Sequence, residues 1–288
     1  YPSEKEIFGK LSSLYEKLKQ PERLLHTLVR ESNQQSGKEQ IQSYWKIARL
    51  LQETLKREKE AVGYFQKILS LDPSNLEALK ILKDYYTKQN SHRLLVETLE
   101  KLIEVDTEQS LSYYWEMATI QKENLKDIPA AILSYQRILK LSPNYCDAWR
   151  ALLILYKEQQ NWEEYIQSGE KLLTLLMEKE EKKKLHYALL EVYTAKNNQA
   201  KVIQHQEEIL FLNPQELIVL EKLKEIYQEK EDWNHLVNLL EREMQNFSYA
   251  YPEMAQKCLG IGKIYSEKLK NYSKAIQCYE RARLYDPE

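Results

Sequence analysis

The sequence predicts an all-α protein, an array of about eight helix-turn-helix pairs, or about 16 antiparallel helices, running through residues 1–288 as one body. Three observations point there. The composition is poor in helix breakers, with 6 Gly and 8 Pro, and its weight of Leu, Lys, Glu and Gln favours helix interiors over sheets. A short apolar-x-apolar-polar-Pro phrase returns as LSLDPS (69–74), LKLSPN (139–144), LFLNPQ (210–215) and ARLYDPE at the C-terminus, and the chain opens on YPSE. Pro2, Pro73, Pro143, Pro214 and Pro287 therefore stand 71, 70, 71 and 73 residues apart. Finally, apolar residues recur at fixed offsets after each of the first four prolines. Six residues on stand Phe8, Leu79, Trp149 and Leu220; nine on, Leu11, Leu82, Leu152 and Leu223; thirteen on, Tyr15, Tyr86, Tyr156 and Tyr227. Those offsets trace one face of a helix.

The prolines divide the chain into double units, 2–72, 73–142, 143–213 and 214–286. In the first, the Leu11/Tyr15 helix is followed by the amphipathic segment RLLHTLVRE. A second pair then carries Ile47, Ala48 and Leu51, then Ala61, Phe65 and Ile68, and closes on Pro73. The second unit repeats the plan with RLLVETLEK, then Met117, Ala118 and Ile120, then Ala131, Tyr135, Ile138 and Pro143. In the third, EYIQSGEKL precedes a weaker copy, with Val202 where a small residue is expected and Gln206 where an aromatic is. The fourth has HLVNLLERE, then Ile261, Gly262 and Tyr265, then Ala275, Tyr279, Ala282 and Pro287. Looser connections are expected at SNQQSGK (32–38), MEKEEKKK (177–184) and NFSYAYPE (246–253). Small residues such as Ala48 and Gly262 let paired helices approach, the aromatic plugs the gap to the next repeat, and proline ends the second helix.

The second half of each unit, clearest in IGKIYSEKLKNYSKAIQCYERARLYDP, resembles the tetratricopeptide repeat (TPR), with L-G-x2-Y, then A-x3-F/Y and a closing Pro. The first halves depart from that pattern. Ser12, Lys83, Leu153 and Lys224 stand where a small residue is expected in the first helix, and Leu24, Leu95, Tyr165 and Leu236 where Ala is expected in the second. The resemblance implies a right-handed α-solenoid of alternating regular and degenerate repeats. The chain begins and stops at one phase of the repeat, with no capping element after Ala275, Tyr279 and Ala282. It therefore reads as a segment of a longer protein, and self-association through uncapped ends is a further expectation.

Several function classes are disfavoured. The formal net charge is −2 with both signs mixed, which argues against a nucleic-acid partner; the lysines at 182–184 are flanked by Glu178, Glu180 and Glu181. No apolar run reaches the roughly 18 residues of a membrane span, so no membrane insertion is expected. Cys146, Cys258 and Cys278 are odd in number without CxxC spacing, which favours a reducing, cytoplasmic setting. The sequons at Asn246 and Asn271 carry little weight without a signal peptide. His26, His92, His186, His205 and His235 are scattered, with no metal-binding spacing, and His186 reads as a packing residue. CLGIGK (258–263) lacks phosphate-loop spacing and its glycines fall in the repeat pattern. No enzyme, cofactor or metal site is expected.

What remains is binding. The resemblance implies that the first helices of the repeats line a concave groove. Stepping to inward-facing neighbours gives Trp45, Trp115 and Tyr187 at equivalent places, Arg49, Thr119 and Glu191 one turn on, and Lys80, Asp84 and Arg150 from the alternate repeats, with Ile154 beside the last. Aromatics interspersed with Arg and Lys suit a protein or peptide partner. Ser13, Asp84, Ile154 and Glu225 stand where chaperone-binding TPR domains place the Asn of a carboxylate clamp, so that clamp is not expected. The leading expectation is a non-catalytic interaction scaffold. The alternatives are a structural component assembling through end faces or convex surface, and a regulatory region of a larger enzyme.

Overall fold

A computed structural model describes residues 4–286, with side chains from residue 7. Pro2 and Pro287 lie outside the described residues. Sixteen α-helices and no strand are found among those described. They form two compact units, Tyr1–Leu155 and Tyr156–Glu288. The first holds α1 (Glu4–Lys17), α2 (Pro21–Ser32), α3 (Gly37–Arg49), α4 (Glu58–Leu71), α5 (Leu76–Lys88), α6 (His92–Val105), α7 (Ser110–Glu123) and α8 (Ile128–Leu141). The boundary falls within α9 (Cys146–Glu158). The second holds α10 (Trp162–Leu175), α11 (Lys179–Ala195), α12 (Gln199–Leu212), α13 (Leu217–Glu229), α14 (Trp233–Asn246), α15 (Tyr251–Lys263) and α16 (Tyr272–Tyr285). Within each unit, consecutive helices pair and consecutive pairs stack, which is the packing of an α-solenoid.

The buried residues follow the expected register. Leu79, Leu82 and Tyr86 are buried on α5, Ile47, Ala48 and Leu51 in the α3 segment, and Ala61, Phe65 and Ile68 on α4. Leu220, Leu223 and Tyr227 do the same on α13. Gly262 is a true close approach: a Cβ there would lie 2.7 Å from the Tyr279 ring. Gly260, two residues earlier, faces open space.

Each of the eight hairpins reverses through one residue in the left-handed region: Lys19, Lys56, Asn90, Lys126, Gln160, Asn197, Glu231 and Lys270, with φ between 51° and 58°. Side chains other than glycine pay about 1–2 kcal/mol there. The next amide closes the turn. In first halves it donates to the tyrosine five residues back, as in Gln20 to Tyr15, Ser91 to Tyr86, Asn161 to Tyr156 and Asp232 to Tyr227, at 2.9–3.0 Å. In three second halves it reaches six back, from Arg57 to Leu51, Asp127 to Gln121 and Asn271 to Tyr265, each at 2.8 Å. The third is the exception, Asn198 donating to Tyr193 at 3.0 Å. Two of the wide turns are π turns, Leu50–Thr54 and Ile264–Lys268. Unequal repeats thus differ in how the first helix ends.

The proline phrase is a hydrogen-bonded joint. After Leu71, Asp72 accepts from Ser74 (2.9 Å) and from the Asn75 side chain (3.0 Å), while Asn75 caps α5 by accepting from the Ala78 amide at 3.2 Å. Those bonds, Asn75's foremost, hold the Asp72 carboxyl below its ordinary pKa. One expected loose connection is largely helix instead. Lys179–Lys184 form the first turns of α11, where Lys183 bridges Glu180 (3.2 Å) and Glu216 (3.1 Å).

Candidate functional site

The candidate residues fall into local groups. Trp45 is half-buried, set edge-on to Phe65 with centroids 5.4 Å apart, and the exposed Arg49 guanidinium lies 5.6 Å from its ring centroid while bonding Glu77 at 3.1 Å. Trp115 repeats this with Tyr135 (5.3 Å) and adds Tyr145 (5.7 Å). Thr119 is exposed and its hydroxyl donates to the Trp115 carbonyl at 2.9 Å. Lys80 pairs with Asp106 at 2.9 Å and Arg150 with Asp147 at 2.7 Å. Asp84 borders a hollow of about 120 Å³ with Phe65 and Ile81. Tyr187 is half-buried and donates to Glu216 at 3.1 Å. Glu191 is exposed beside it, on the same cleft.

That cleft, of about 740 Å³ between α11, α12 and α13, occupies the place of the Asp84 hollow one double unit pair earlier. Residue by residue, Thr194, Val202, Gln206, Lys222, Glu225 and Ile226 replace Gln52, Ala61, Phe65, Ile81, Asp84 and Tyr85. Phe65 fills the first site; Gln206 leaves the second open. Gln206 is only 3% exposed, and its amide oxygen has no hydrogen-bond partner. The sequence marks Gln206 as a mismatch, but the space it leaves depends on α13, which periodicity alone does not place.

In the same hairpin, the structure corrects the reading of the histidines as scattered. His186 and His205 are both buried and share a bond of 2.8 Å between their Nδ1 atoms. They stand where Tyr44 and Tyr64 meet in the first unit, centroids 5.7 Å apart. Tyr193 stacks on His205, and Glu170 of α10 lies 3.5 Å from its Nε2 while accepting from Tyr193 (2.9 Å) and Lys201 (3.0 Å). Burial pushes both imidazoles below their ordinary pKa, against the pull of Glu170 on His205 and of Glu208 and Glu170 on His186. Burial alone would raise Glu170, yet the bonds from Lys201 and Tyr193 hold it low. A neutral pair sharing one proton through Nδ1 is a packing solution, as expected for His186.

Other polar clusters are likewise structural. Glu243, 3% exposed, is held by Lys224 (2.7 Å), Lys257 (2.8 Å) and Tyr249 (2.7 Å). Burial pushes the Cys258 and Cys278 thiols up, which makes them poor nucleophiles. Among the described residues no three His, Cys, Asp or Glu side chains are grouped to hold a metal ion, and no helix is long and apolar enough to cross a membrane.

Helical hairpins stacked in register, without an evident catalytic constellation among the described residues, define a helical-repeat protein. Two segments, 41–75 and 255–288, match the tetratricopeptide repeat family model; they are the second hairpins of the first and last double units. No curated protein sequence matches the chain. Similar solved structures include MamA (22% identity, 59% of this chain and 96% of that one, TM-score 0.37). Others are YrrB, described as a TPR protein with an unusual peptide-binding site (18%, 67% and 94%, TM-score 0.34), and the P58(IPK) TPR domain (12%, 99% and 94%, TM-score 0.35). The α7–α8 and α11–α12 hairpins lie outside the matched segments, although α7–α8 keeps the aromatic plug.

Proposed function

We propose that the chain is a non-catalytic, cytoplasmic interaction scaffold whose repeats, in four double units, bind a protein or peptide partner along the first helices of the second halves. The observation that carries this reading is the pair Trp45 and Trp115. Each is half-buried and meets an aromatic of the next helix at the equivalent position, Trp115 meeting Tyr145 as well; each keeps part of its surface open and has a polar residue, Arg49 or Thr119, one turn on. Partly exposed tryptophan beside arginine is a common anchor for partners. Lys80, Asp84, Arg150, Tyr187 and Glu191 supply polar and aromatic contacts in the same reading. The test is peptide selection on the chain, followed by Trp45→Ala with Trp115→Ala. Selected ligands should bind the double variant at least about tenfold more weakly, in line with hot-spot losses of about 2 kcal/mol, with helicity retained. Undiminished binding by a folded variant would refute the assignment.

A specific observation favours a second reading. On α16, Ile276 is 56% exposed, Leu284 79% and Tyr279 39%, whereas the equivalent aromatics Phe65 and Tyr135 are buried. An apolar face of this kind suits association with another chain. Light scattering over a hundredfold concentration range tests it: growth in mass supports assembly through this face, and a constant monomer leaves partner binding as the function.

A further inference from the structure

We propose that the cleft at Gln206 receives an aromatic side chain carrying a hydrogen-bond donor, Tyr or Trp, from a partner peptide with a neighbouring Lys or Arg. This rests on the reading of the chain as a peptide-binding scaffold and says where and by what chemistry it reads its ligand.

Three observations carry it. The protein itself seats an aromatic at the equivalent site, where Phe65 packs edge-on to Trp45 and leaves a hollow of about 120 Å³. With Gln206 in that place the space is about 740 Å³ and Tyr187, the counterpart of Trp45, lines it without a ring partner from α12. The cleft therefore has the position of a missing ring. Second, Gln206 lines the cleft while its amide oxygen is buried behind that wall without a partner, which is costly unless the side chain turns to meet a donor in the cleft. A phenol or indole supplies that donor on the edge of a ring. Third, the rim carries the carboxylates of Glu191 and Glu225 against one ammonium, Lys222, and the apolar Ile218, 73% exposed, stands over it. A cationic neighbour complements the charge excess.

The experiment is selection of random dodecapeptides displayed on phage against the whole 288-residue chain, with affinities of the winners measured by fluorescence anisotropy. Winners should share a Tyr or Trp next to Lys or Arg. Gln206→Phe, which restores the ring of the sister hairpin, should weaken them at least tenfold, as should Ile218→Ser, an exposed and uncharged change that spares the core. Gln206→Ala should leave the cleft open but erase the preference for Tyr over Phe. Selection that enriches nothing, winners without an aromatic, or winners that bind Gln206→Phe and Ile218→Ser as well as the parent would overturn the proposal. The Trp45→Ala/Trp115→Ala variant separates the two readings. Loss there with Gln206→Phe unaffected refutes the cleft and keeps the tryptophan surface. The converse refutes the tryptophan surface and keeps the cleft.

Discussion

The α3–α4 hairpin and the α11–α12 hairpin occupy the same place in the first and third double units, yet they are stabilised differently. In the first, Phe65 is 1% exposed and packed against Trp45, and two tyrosines, Tyr44 and Tyr64, meet between the helices. In the second, those positions carry Gln206, Tyr187, His186 and His205, so a tilted pair of tyrosine rings becomes a tilted, hydrogen-bonded pair of imidazoles beside an open cleft. The difference teaches that a helical repeat tolerates replacement of its plug when the remaining shell, here Leu189, Val202 and Ile209, stays buried. What is lost is closure toward the next helix, and that loss creates surface with a specific shape.

The strongest way to break the comparison is to remove both plugs. Phe65→Ala should destabilise its unit by about 3–5 kcal/mol through a cavity, whereas Gln206→Ala should stay within about 1 kcal/mol, because it also removes a buried oxygen without a partner. Urea unfolding of each variant, read for each unit's transition, measures both. Equal losses would mean that Gln206 is packed as tightly as Phe65 and that the hairpins are not different in kind.

Much of this architecture is legible in the sequence, and its limits have physical causes. Helix register was carried by long-range periodicity, so Leu82, Tyr86 and Leu223 fall in the core where the pattern puts them. The turns were silent because their left-handed residues are Lys, Asn, Gln and Glu and not glycine. The lysine-rich stretch before Leu185 reads as a loose link because it carries no apolar residue to show a helical period; in the fold it is helical, and Lys183 pairs with Glu180 and with Glu216, the latter 33 residues away. His205 could not be joined to His186 by spacing, because the two face each other from different helices. For the candidate surface, sequence equivalence identified Trp45, Trp115 and Tyr187, but not the fact that the third lacks its ring partner.

The next test exploits the histidines. Both imidazoles are held below their ordinary pKa by burial, so the folded chain binds fewer protons than the unfolded one in the acid range. The stability this confers is present above the unfolded value, about 6.5, and falls as the pH drops below it. Glu170 of α10 and Glu208 of α12 oppose the shift, and Lys182 and Lys201 reinforce it. The melting temperature of the parent should therefore fall between pH 7 and pH 5 more steeply than that of His186→Tyr/His205→Tyr, which copies Tyr44 and Tyr64. Parallel curves would show that the pair does not set the acid response. A smaller effect is expected from Gln206→Phe, which should raise the stability of its unit by about 1 kcal/mol through cavity filling, read from the same urea transition.

The smallest contrast lies in the two turns. Lys56 and Asn197 hold equivalent left-handed conformations, φ 58° and 54°, one before each second helix. A lysine Cβ crowds the following carbonyl there, while asparagine is tolerated because its short amide bonds locally. Glycine removes the crowding but adds unfolded-state freedom, and the two effects partly cancel. Lys56→Gly should thus gain up to about 1 kcal/mol and Asn197→Gly only a few tenths, both by urea unfolding. A larger gain at Asn197 would mean that the α11–α12 turn, closed five residues back and not six, is the more strained of the two. The shorter reversal, and not the missing ring, would then be the deeper cause of the departure of this hairpin from its relatives.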